Sequence, residues 1–316
     1  MASKIALLFP GQGSQAPGMG KLLYDEFPEA REIFDQANEI LRVDIKSKIF
    51  QGSEEDLRQT AVTQPAIFTV SCAAFQVLSK QFPSLEGRCS FAAGHSLGEY
   101  SALFCAQVFN FQTGLKLVSY RGQFIQSACE KNPGTMAAMI GFGKETLRKL
   151  CQESADGNGI CEMVNFNCPG QAVVAGTQRA VQVLLQKASG VQGTKAVALN
   201  VSGAFHSSLM REASQKMSEI LEKSSLNDSR IPVVANCDAQ PTTQAQKIRE
   251  KLVRQIDHPV LWEDSIRWMI AQGAETFVEV GPGKVLGGLL RKIDRKKKVL
   301  NVEDPQSLEK TLQELG

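Results

Sequence analysis

Short apolar runs alternate along this chain with longer segments in which apolar residues recur every three or four positions. The run 5–9 stops at Pro10-Gly11, which is typical of a buried strand, and the segment 24–41 has helical periodicity. The same patterns predict a helix over about 65–82, a strand over 90–94, and helices over 97–106 and 111–125. Strands that alternate with helices predict an α/β fold.

The pattern changes between Thr135 and Val201. Four strands and two helices are predicted there in the order β-α-β-β-α-β, the signature of the ferredoxin-like, or split βαβ, unit. Their predicted bounds are 135–140, 144–154, 160–166, 171–175, 178–188 and 195–201. We therefore predict that residues 129–202 form a small domain inserted into a larger one.

Helices and strands alternate again after this insert. Helices are predicted over 207–222, 245–255, 262–272 and 284–293, and strands over 231–235, 275–280 and 299–302. Alternation on both sides of the insert implies a largely parallel sheet. The prediction is a discontinuous α/β core, residues 1–128 and 203–316, interrupted by the small domain.

Composition narrows the class of protein without naming a partner. The 316 residues are 43% hydrophobic and 22% charged, which is ordinary globular usage and excludes a disordered, collagen-like or coiled-coil chain. The 35 basic and 33 acidic residues leave a net charge of +2, so no charge excess points to nucleic acid or to a membrane surface.

Cysteine usage and the N-terminus bear on the compartment. The eight cysteines include no C-x-x-C pair and the three histidines complete no zinc pattern, so we predict no metal site and a reducing environment. The first apolar run is too short for a signal sequence, and we read no run as long and apolar enough to span a bilayer. We therefore expect a cytoplasmic protein.

The segment Gly94-His-Ser-Leu-Gly98 carries the most chemical information. It fits G-x-S-x-G between a predicted strand and a predicted helix, where the two glycines allow a sharp turn that projects the Ser96 hydroxyl from the sheet edge. The following helix presents free amides and its positive end to an oxyanion. The bare pattern also arises by chance on loops, but its placement favours a serine nucleophile.

A serine nucleophile needs a base, and the chain has three histidines. We interpret His95 as a packing or hydrogen-bonding residue, because its side chain leaves the turn in another direction, and His258, which precedes a proline, as structural. His206 lies at the mouth of a helix, where the dipole helps to keep the ring neutral. From the residues alone, a general base and an ordinary satisfied histidine are equally good interpretations of His206.

A Gly-rich turn, Phe9 to Gln15, follows the first predicted strand. It can be read as the dinucleotide fingerprint G-x-G-x-x-A through Gly11, Gly13 and Ala16. That fit is poor because Pro17 interrupts the expected helix and no second strand ending in an acid follows about 20 residues on. An amide of this loop that faced Ser96 would instead complete an oxyanion hole.

Two groups of basic residues require an interpretation. Arg121 falls among apolar neighbours in the predicted helix 111–125, so its guanidinium would be partly buried and would need an anion, best a carboxylate. The residues alone favour the other interpretation, a solvent-facing arginine paired with a nearby glutamate. The run 291–298 is interpreted as a solvated helix end, with a docking patch for an acidic partner as the alternative.

Taken together, these segments resemble the malonyl-CoA:acyl-carrier-protein transacylases of dissociated fatty acid synthesis. The resemblance rests on the ordered motifs Phe9-Pro-Gly-Gln-Gly-Ser-Gln15, Gln64-Pro65, Gly94-His-Ser-Leu-Gly-Glu-Tyr-Ser-Ala102, Arg121-Gly122, Asn165-Phe-Asn-Cys-Pro-Gly-Gln171, the segment around His206, Leu252-Val-Arg-Gln255 and Glu279-Val-Gly-Pro-Gly-Lys284. It implies a hydrolase-like α/β core with an inserted ferredoxin-like subdomain, in agreement with the division above.

The resemblance also implies roles for individual residues. Ser96 would be the nucleophile that is malonylated, with His206 as its base, and Arg121 would hold the free malonyl carboxylate. The remaining implied assignments are oxyanion-hole amides at Gln12 and Leu97, a carbonyl at Gln255 that orients the histidine, and substrate contacts at Phe205 and Asn167. Bulk at Phe205 beside the base favours malonyl over methylmalonyl.

The implied reaction is ping-pong transfer of malonyl from malonyl-CoA to the phosphopantetheine thiol of an acidic acyl carrier protein, with no metal and no bound cofactor. The enzyme would bind neither nucleic acid nor membrane, and nothing requires more than a monomer. Two alternatives stay open: a serine esterase or thioesterase with the same elbow and base, and a non-catalytic scaffold that binds a carrier protein.

Overall fold

The structure, a computed structural model, describes residues 4–316. Residues 1–3, the beginning of the predicted core segment, lie outside the described residues. In chain order the strands are β1 Lys4–Phe9, β2 Cys89–Gly94, β3 Gly134–Ile140, β4 Cys161–Cys168, β5 Gln171–Thr177, β6 Lys195–Ala198, β7 Val233–Val234, β8 Pro241–Thr242, β9 Ala274–Val280 and β10 Lys298–Val302.

The helices, in the same order, are α1 Lys21–Glu26, α2 Pro28–Leu41, α3 Ile45–Gln51, α4 Glu54–Arg58, α5 Thr60–Gln81, α6 Leu85–Arg88, α7 Gly98–Cys105, α8 Phe111–Lys131, α9 Lys144–Ala155, α10 Gln178–Ala188, α11 Arg211–Glu222, α12 Ala245–Gln255, α13 Trp262–Ala271, α14 Val285–Ile293 and α15 Pro305–Leu315. A 3₁₀ turn, Ser208–Met210, precedes α11.

Six strands form the larger sheet, in the order β10-β9-β1-β2-β7-β8. All neighbours are parallel except β8, which pairs antiparallel with β7 at one edge. In the central strand β1, Ile5, Leu7 and Phe9 enter one hydrophobic core while Ala6 and Leu8 enter the other. A strand buried on both faces requires helices on both sides of the sheet, so this confirms the predicted α/β core.

The smaller sheet contains four antiparallel strands in the order β4-β5-β3-β6. Together with α9 and α10 it follows the predicted β-α-β-β-α-β order and encloses its own core. The boundaries 128/129 and 202/203 stay a prediction. The helix α8 continues to Lys131, beyond the first of them, and Asn165 forms an isolated bridge with Val260 of the larger unit.

Prolines account for two differences from the predicted helices. The segment 24–41 is two helices, because Pro28 occupies the first turn of α2 and Phe27 before it is extended. The predicted start of a helix near Pro65 was wrong, since α5 begins at Thr60 and retains the proline inside its N-terminal part. A proline there removes one intrahelical hydrogen bond, and packing over most of this buried helix maintains its path.

Other differences concern short elements. The predicted strand 195–201 ends at Ala198, and 231–235 reduces to the two residues of β7, which pair with Ala92 and Ala93 of β2. The prediction missed α3, α4, α6, α15 and β8. Most of these are shorter than two helical turns, so their apolar positions do not repeat often enough to show a period.

One helix of the described chain, α5, is long and apolar enough by composition to cross a membrane, contrary to the prediction that no such run exists. In the structure, 78% of its most apolar window is buried inside the protein. Helices α2, α7 and α8 pack around it. Its apolar composition is therefore that of a central core helix.

Candidate active site

Ser96 occupies a sharp turn between β2 and α7, at the carboxyl edge of the parallel sheet. A side chain at Gly94 would collide with the backbone of Gly98, and one at Gly98 would collide with the Phe9 carbonyl, so the turn can close only with glycine at both positions. Ser96 itself has a φ of 52°, in the left-handed region. Such a conformation costs about 1–3 kcal/mol in a residue other than glycine and persists only where its surroundings hold it.

His206 lies against Ser96, 110 residues further along the chain. Its Nε2 is 2.7 Å from the Ser96 Oγ, and its Nδ1 is 2.8 Å from the main-chain oxygen of Gln255. Because a carbonyl only accepts, Nδ1 carries the proton and Nε2 is free to accept from the serine hydroxyl. Burial, reinforced by the positive charge of Arg121, lowers the pKa of His206 to about 3. The ring is thus a neutral base at physiological pH.

Arg121 is 2% exposed and lies beside the same serine, so the solvent-facing interpretation that the residues alone favoured was wrong. Its guanidinium donates to Oε1 of Gln64 over 2.8 Å, to Oγ of Ser96 over 3.1 Å and to Oε1 of Gln255 over 3.0 Å. All three acceptors are neutral, and the Nε donates to no residue of the described chain. A buried cation bonded only to neutral oxygens is suited to receive an anion.

A cavity of about 290 Å³ opens above these side chains. Six of the eight site residues implied by the resemblance line it: Gln12, Ser96, Leu97, Arg121, Phe205 and His206. The main-chain amides of Gln12 and Leu97 donate no hydrogen bond within residues 4–316, so both are available to an oxyanion. The charged side chains of the lining are Arg58 and Arg121, and it contains no aspartate or glutamate. The cavity therefore favours an anionic ligand.

Two of the residues implied by the resemblance lie outside this lining. Gln255 is fully buried behind Ser96 and Arg121. Asn167 is 8% exposed, and its Oδ1 is 2.9 Å from Nε2 of His95, which itself lines the cavity. Its contact with substrate stays a prediction. His95 is accordingly a hydrogen-bonding residue, as expected, and His258 pairs with its neighbour Asp257.

Several polar residues of the site were missed in the sequence. Gln64 appeared only within a motif, although it holds Arg121. Glu99 and Asn236 are buried beneath Ser96 and bond to one another, and burial raises the pKa of Glu99 to about 7. A glutamate among the apolar and small residues of α7 is a signal that could have been noticed. Arg58 ends α4, a helix that the prediction missed.

Comparison with known proteins gives the class first. Residues 6–306 match the family model described as "Acyl transferase domain", so this fold with its serine elbow is that of an acyltransferase. A malonyl CoA-acyl carrier protein transacylase of Bacillus subtilis (strain 168) is 41% identical over 99% of this chain and 98% of its own. One from Staphylococcus aureus (strain MRSA252) is 38% identical over 95% of this chain and 96% of its own.

Solved structures agree with this result. An acyl-carrier-protein-S-malonyltransferase from Bartonella henselae superposes with a TM-score of 0.95 at 37% identity, covering 99% of both chains. A malonyl-transacylase in complex with a type II PKS acyl-carrier protein superposes with a TM-score of 0.93 at 38% identity, over 99% of this chain and 100% of its own. The chain belongs to the malonyl CoA-acyl carrier protein transacylase family.

Proposed function

We propose that this enzyme transfers the malonyl group of malonyl-CoA to the phosphopantetheine thiol of acyl carrier protein through a malonyl-Ser96 intermediate, and so supplies fatty acid elongation. One observation carries the proposal: the buried Arg121 guanidinium reaches the Oγ of Ser96 and has no carboxylate partner within hydrogen-bonding distance in residues 4–316. A malonyl group ends in a free carboxylate, which a planar guanidinium binds through two parallel hydrogen bonds.

In the first half-reaction, neutral His206 takes the hydroxyl proton as the Ser96 Oγ attacks the thioester carbon. The electron pair of the carbonyl moves onto its oxygen, which the amides of Gln12 and Leu97 stabilise. The tetrahedral intermediate then collapses, its carbon–sulfur bond breaks, and His206 returns the proton to the departing thiolate of coenzyme A. Malonyl-Ser96 and free coenzyme A are the products.

The second half-reaction runs through the same groups in the opposite sense. His206 removes the proton of the phosphopantetheine thiol, the sulfur attacks the malonyl ester, and Ser96 leaves with the proton that His206 gives back. Each step uses side chains and amides of this chain alone. Within residues 4–316 no group of three or more His, Cys, Asp or Glu is arranged to hold a metal ion.

The remaining parts of the proposal concern partners and location. An acyl carrier protein is bound to one solved relative, which supports a transient carrier-protein complex here. We assign the enzyme to the cytoplasm, as a monomer with no bound cofactor, because its eight cysteines form no disulfide and because one active site completes the reaction. Nucleic acid and membrane have no part in this reaction.

Intact-mass spectrometry after mixing with malonyl-CoA tests the proposal. We expect the enzyme to gain one malonyl group, Ser96→Ala to gain none, and the control Ser202→Ala, an exposed serine beside the cavity, to behave as the unaltered enzyme. Addition of holo acyl carrier protein should move the group to the carrier.

Each alternative predicts a different result. A thioesterase would release malonate to water without carrier protein. A non-catalytic scaffold would acquire no adduct, and an adduct that persists in Ser96→Ala would also overturn the proposal.

A further inference from the structure

A buried carboxyl group lies beneath the nucleophile, and the mechanism above does not use it. Glu99 is 2% exposed, in the first turn of α7, three residues after Ser96. Its Oε2 accepts two hydrogen bonds of 2.9 Å, from the main-chain N–H of Asn236 and from Nε2 of Gln255. Its Oε1 has no hydrogen-bond partner in the described chain. Both hydrogen bonds of the Glu99 carboxyl group are therefore formed by Oε2.

The two residues that bond to Glu99 also hold the backbone of the elbow. Oδ1 of Asn236 accepts from the N–H of Ser96 over 2.7 Å, and its Nδ2 donates to the Gly94 carbonyl over 2.7 Å. Nε2 of Gln255 donates to the Ser96 carbonyl over 2.8 Å. Side chains thus form hydrogen bonds with both the N–H and the carbonyl of Ser96, the residue whose φ is 52°. A left-handed residue of this kind needs such restraint.

The same glutamine connects Glu99 to the other two groups of the site. Oε1 of Gln255 accepts from Arg121 over 3.0 Å, and its main-chain oxygen accepts from His206 over 2.8 Å. An amide side chain has one donating and one accepting end. With the acceptor Glu99 on one side, Nε2 must face it, and Oε1 must then face the guanidinium. Without Glu99, the Ser96 carbonyl would be the one remaining acceptor of this pair at Nε2, and the preference of the amide for this orientation would weaken.

We propose that Glu99 is a positioning residue for malonyl transfer: by accepting from Asn236 and Gln255 through one oxygen, it fixes the backbone of Ser96 and directs the amide oxygen of Gln255 to Arg121. This inference rests on the proposed function. Accepting two hydrogen bonds does not require a negative charge, so the isosteric amide of glutamine can replace the carboxyl group, whereas an apolar side chain of similar length cannot.

Protonation of Glu99 is compatible with this role. Burial raises its pKa to about 7, against the lowering effect of its two hydrogen bonds and of the Arg121 charge from α8. The negative charge of Asp238, from the loop after β7, adds to the rise. Because Oε1 has no partner, it can carry the proton while Oε2 continues to accept. Both protonation states of Glu99 then support the same geometry, and the rate of acylation should not change as this carboxyl group titrates.

The test compares single-turnover acylation by malonyl-CoA in Glu99→Gln and Glu99→Met. We expect Glu99→Gln to acylate at a rate close to that of the unaltered enzyme, and Glu99→Met to be slower on the order of 100-fold, as for a displaced reacting group. The loss should fall mainly on the rate constant, because Gln64 still holds Arg121. The control is Glu279→Met, which removes another buried carboxyl group with two main-chain donors, outside the cavity.

Each outcome decides a separate point. An unaltered enzyme that forms no adduct would overturn the proposed function itself. An enzyme that forms the adduct, with Glu99→Met equally fast, would overturn only the positioning role. A Glu99→Gln variant as slow as Glu99→Met would show that charge rather than hydrogen-bond geometry matters. If Glu99→Met does not fold, Asn236→Ala removes the acceptor of the Ser96 N–H and should slow acylation while Glu99→Gln stays active.

Discussion

The guanidinium of Arg121 donates a hydrogen bond to the Oγ of Ser96 over 3.1 Å. The group that would bind the malonyl carboxylate therefore contacts the atom that would attack the malonyl carbonyl. In malonyl these two carbons are separated by a single methylene, so a carboxylate held by Arg121 would bring the thioester carbon to the serine. Binding energy at the carboxylate would thus be used to orient the reacting atoms.

Replacement of Arg121 should separate malonyl transfer from transfer of uncharged acyl groups. Loss of one partner of a buried ion pair costs about 3–5 kcal/mol, or roughly two to four orders of magnitude in kcat/KM. We expect Arg121→Ala to lose this much with malonyl-CoA and to keep or improve its activity with acetyl-CoA. Parallel assays of both substrates measure the ratio.

The matched control is Arg254→Ala, an exposed arginine next to Gln255, which should change neither activity. Equal losses for malonyl-CoA and acetyl-CoA in Arg121→Ala would contradict the assignment, because they would indicate general damage to the site rather than loss of a carboxylate receptor.

The pH dependence of acylation should reflect the lowered pKa of His206. Attack by Ser96 needs the neutral ring, and burial with the charge of Arg121 brings the pKa from 6.5 to about 3. We therefore expect kcat/KM for malonyl-CoA to show no acid limb near pH 6.5 and to fall only at much lower pH. Rapid-quench acylation between about pH 4.5 and about pH 8 measures this profile.

A variant and a stability measurement check the cause of this shift. Arg121→Gln removes the second cause of the lowered pKa, so its acid limb should move to higher pH. Between pH 3 and 6.5 the unfolded chain binds the His206 proton and the folded chain does not, so this histidine makes folding stability rise with pH across that window. An acid limb near pH 6.5 in the unaltered enzyme would contradict the expected environment of the ring.

Local patterns predicted those parts of the site that lie within one stretch of chain. Ser96 was identified because its motif and the strand and helix around it are contiguous. The apolar neighbours of Arg121 raised its burial only as the less favoured of two interpretations, and the resemblance was needed to assign it to the site. The partners of Arg121 lie 57 and 134 residues away, at Gln64 and Gln255. No local pattern reports such contacts, so the residues alone predicted neither the burial of this cation nor the amides that hold it.

The fold shows the same division. Long periodic elements and their order were predicted, and with them the parallel sheet and the β-α-β-β-α-β insert. Short helices such as α4 were not predicted. Arg58 ends α4 and lines the cavity, so this cation was missed as well. Asn236 follows a two-residue strand and carries no pattern at all. Asn236 reaches the N–H of Ser96 because β7 pairs with β2, a tertiary contact that no local pattern predicts.

Phe205 should control the space beside the base. Its ring lines the cavity next to His206 and packs against an apolar cluster of the smaller sheet that includes Met136 and Val173. Phe205→Ala would make room for one extra methyl group, and a methyl-sized difference in a pocket changes kcat/KM by about 10- to 200-fold. We expect Phe205→Ala to lower the ratio of malonyl-CoA to methylmalonyl-CoA activity by about 10- to 200-fold. Competition between the two substrates measures this ratio.

The control for this experiment is Phe124→Ala, which removes a half-buried ring of α8 that stacks on Tyr120 outside the cavity. It should leave the ratio unchanged. If Phe205→Ala also left the ratio unchanged, the bulk beside His206 would not be the source of discrimination.

The basic run 291–298 should not bind the carrier protein during transfer. Ser96 and Gln12 follow the carboxyl ends of β2 and β1, whereas residues 294–297 join the end of α14 to the start of β10. Because these strands are parallel, the turn lies at the amino-terminal ends of the strands, opposite the active site. Strands of six or seven residues place it about 20 Å away along the strand direction. Its last lysine, Lys298, is already paired with Glu314.

Charge reversal distinguishes a solvated turn from a docking patch. We expect the double variant Arg295→Glu, Lys296→Glu to keep the KM for acyl carrier protein unchanged. Arg58→Glu, which reverses a cation in the lining of the active-site cavity, should raise the KM for malonyl-CoA because the cavity would then repel an anion. A rise in the carrier-protein KM of the double variant, with the malonyl-CoA KM unchanged, would instead place the carrier protein on the basic run. In that case the phosphopantetheine arm would have to extend around the sheet to reach Ser96.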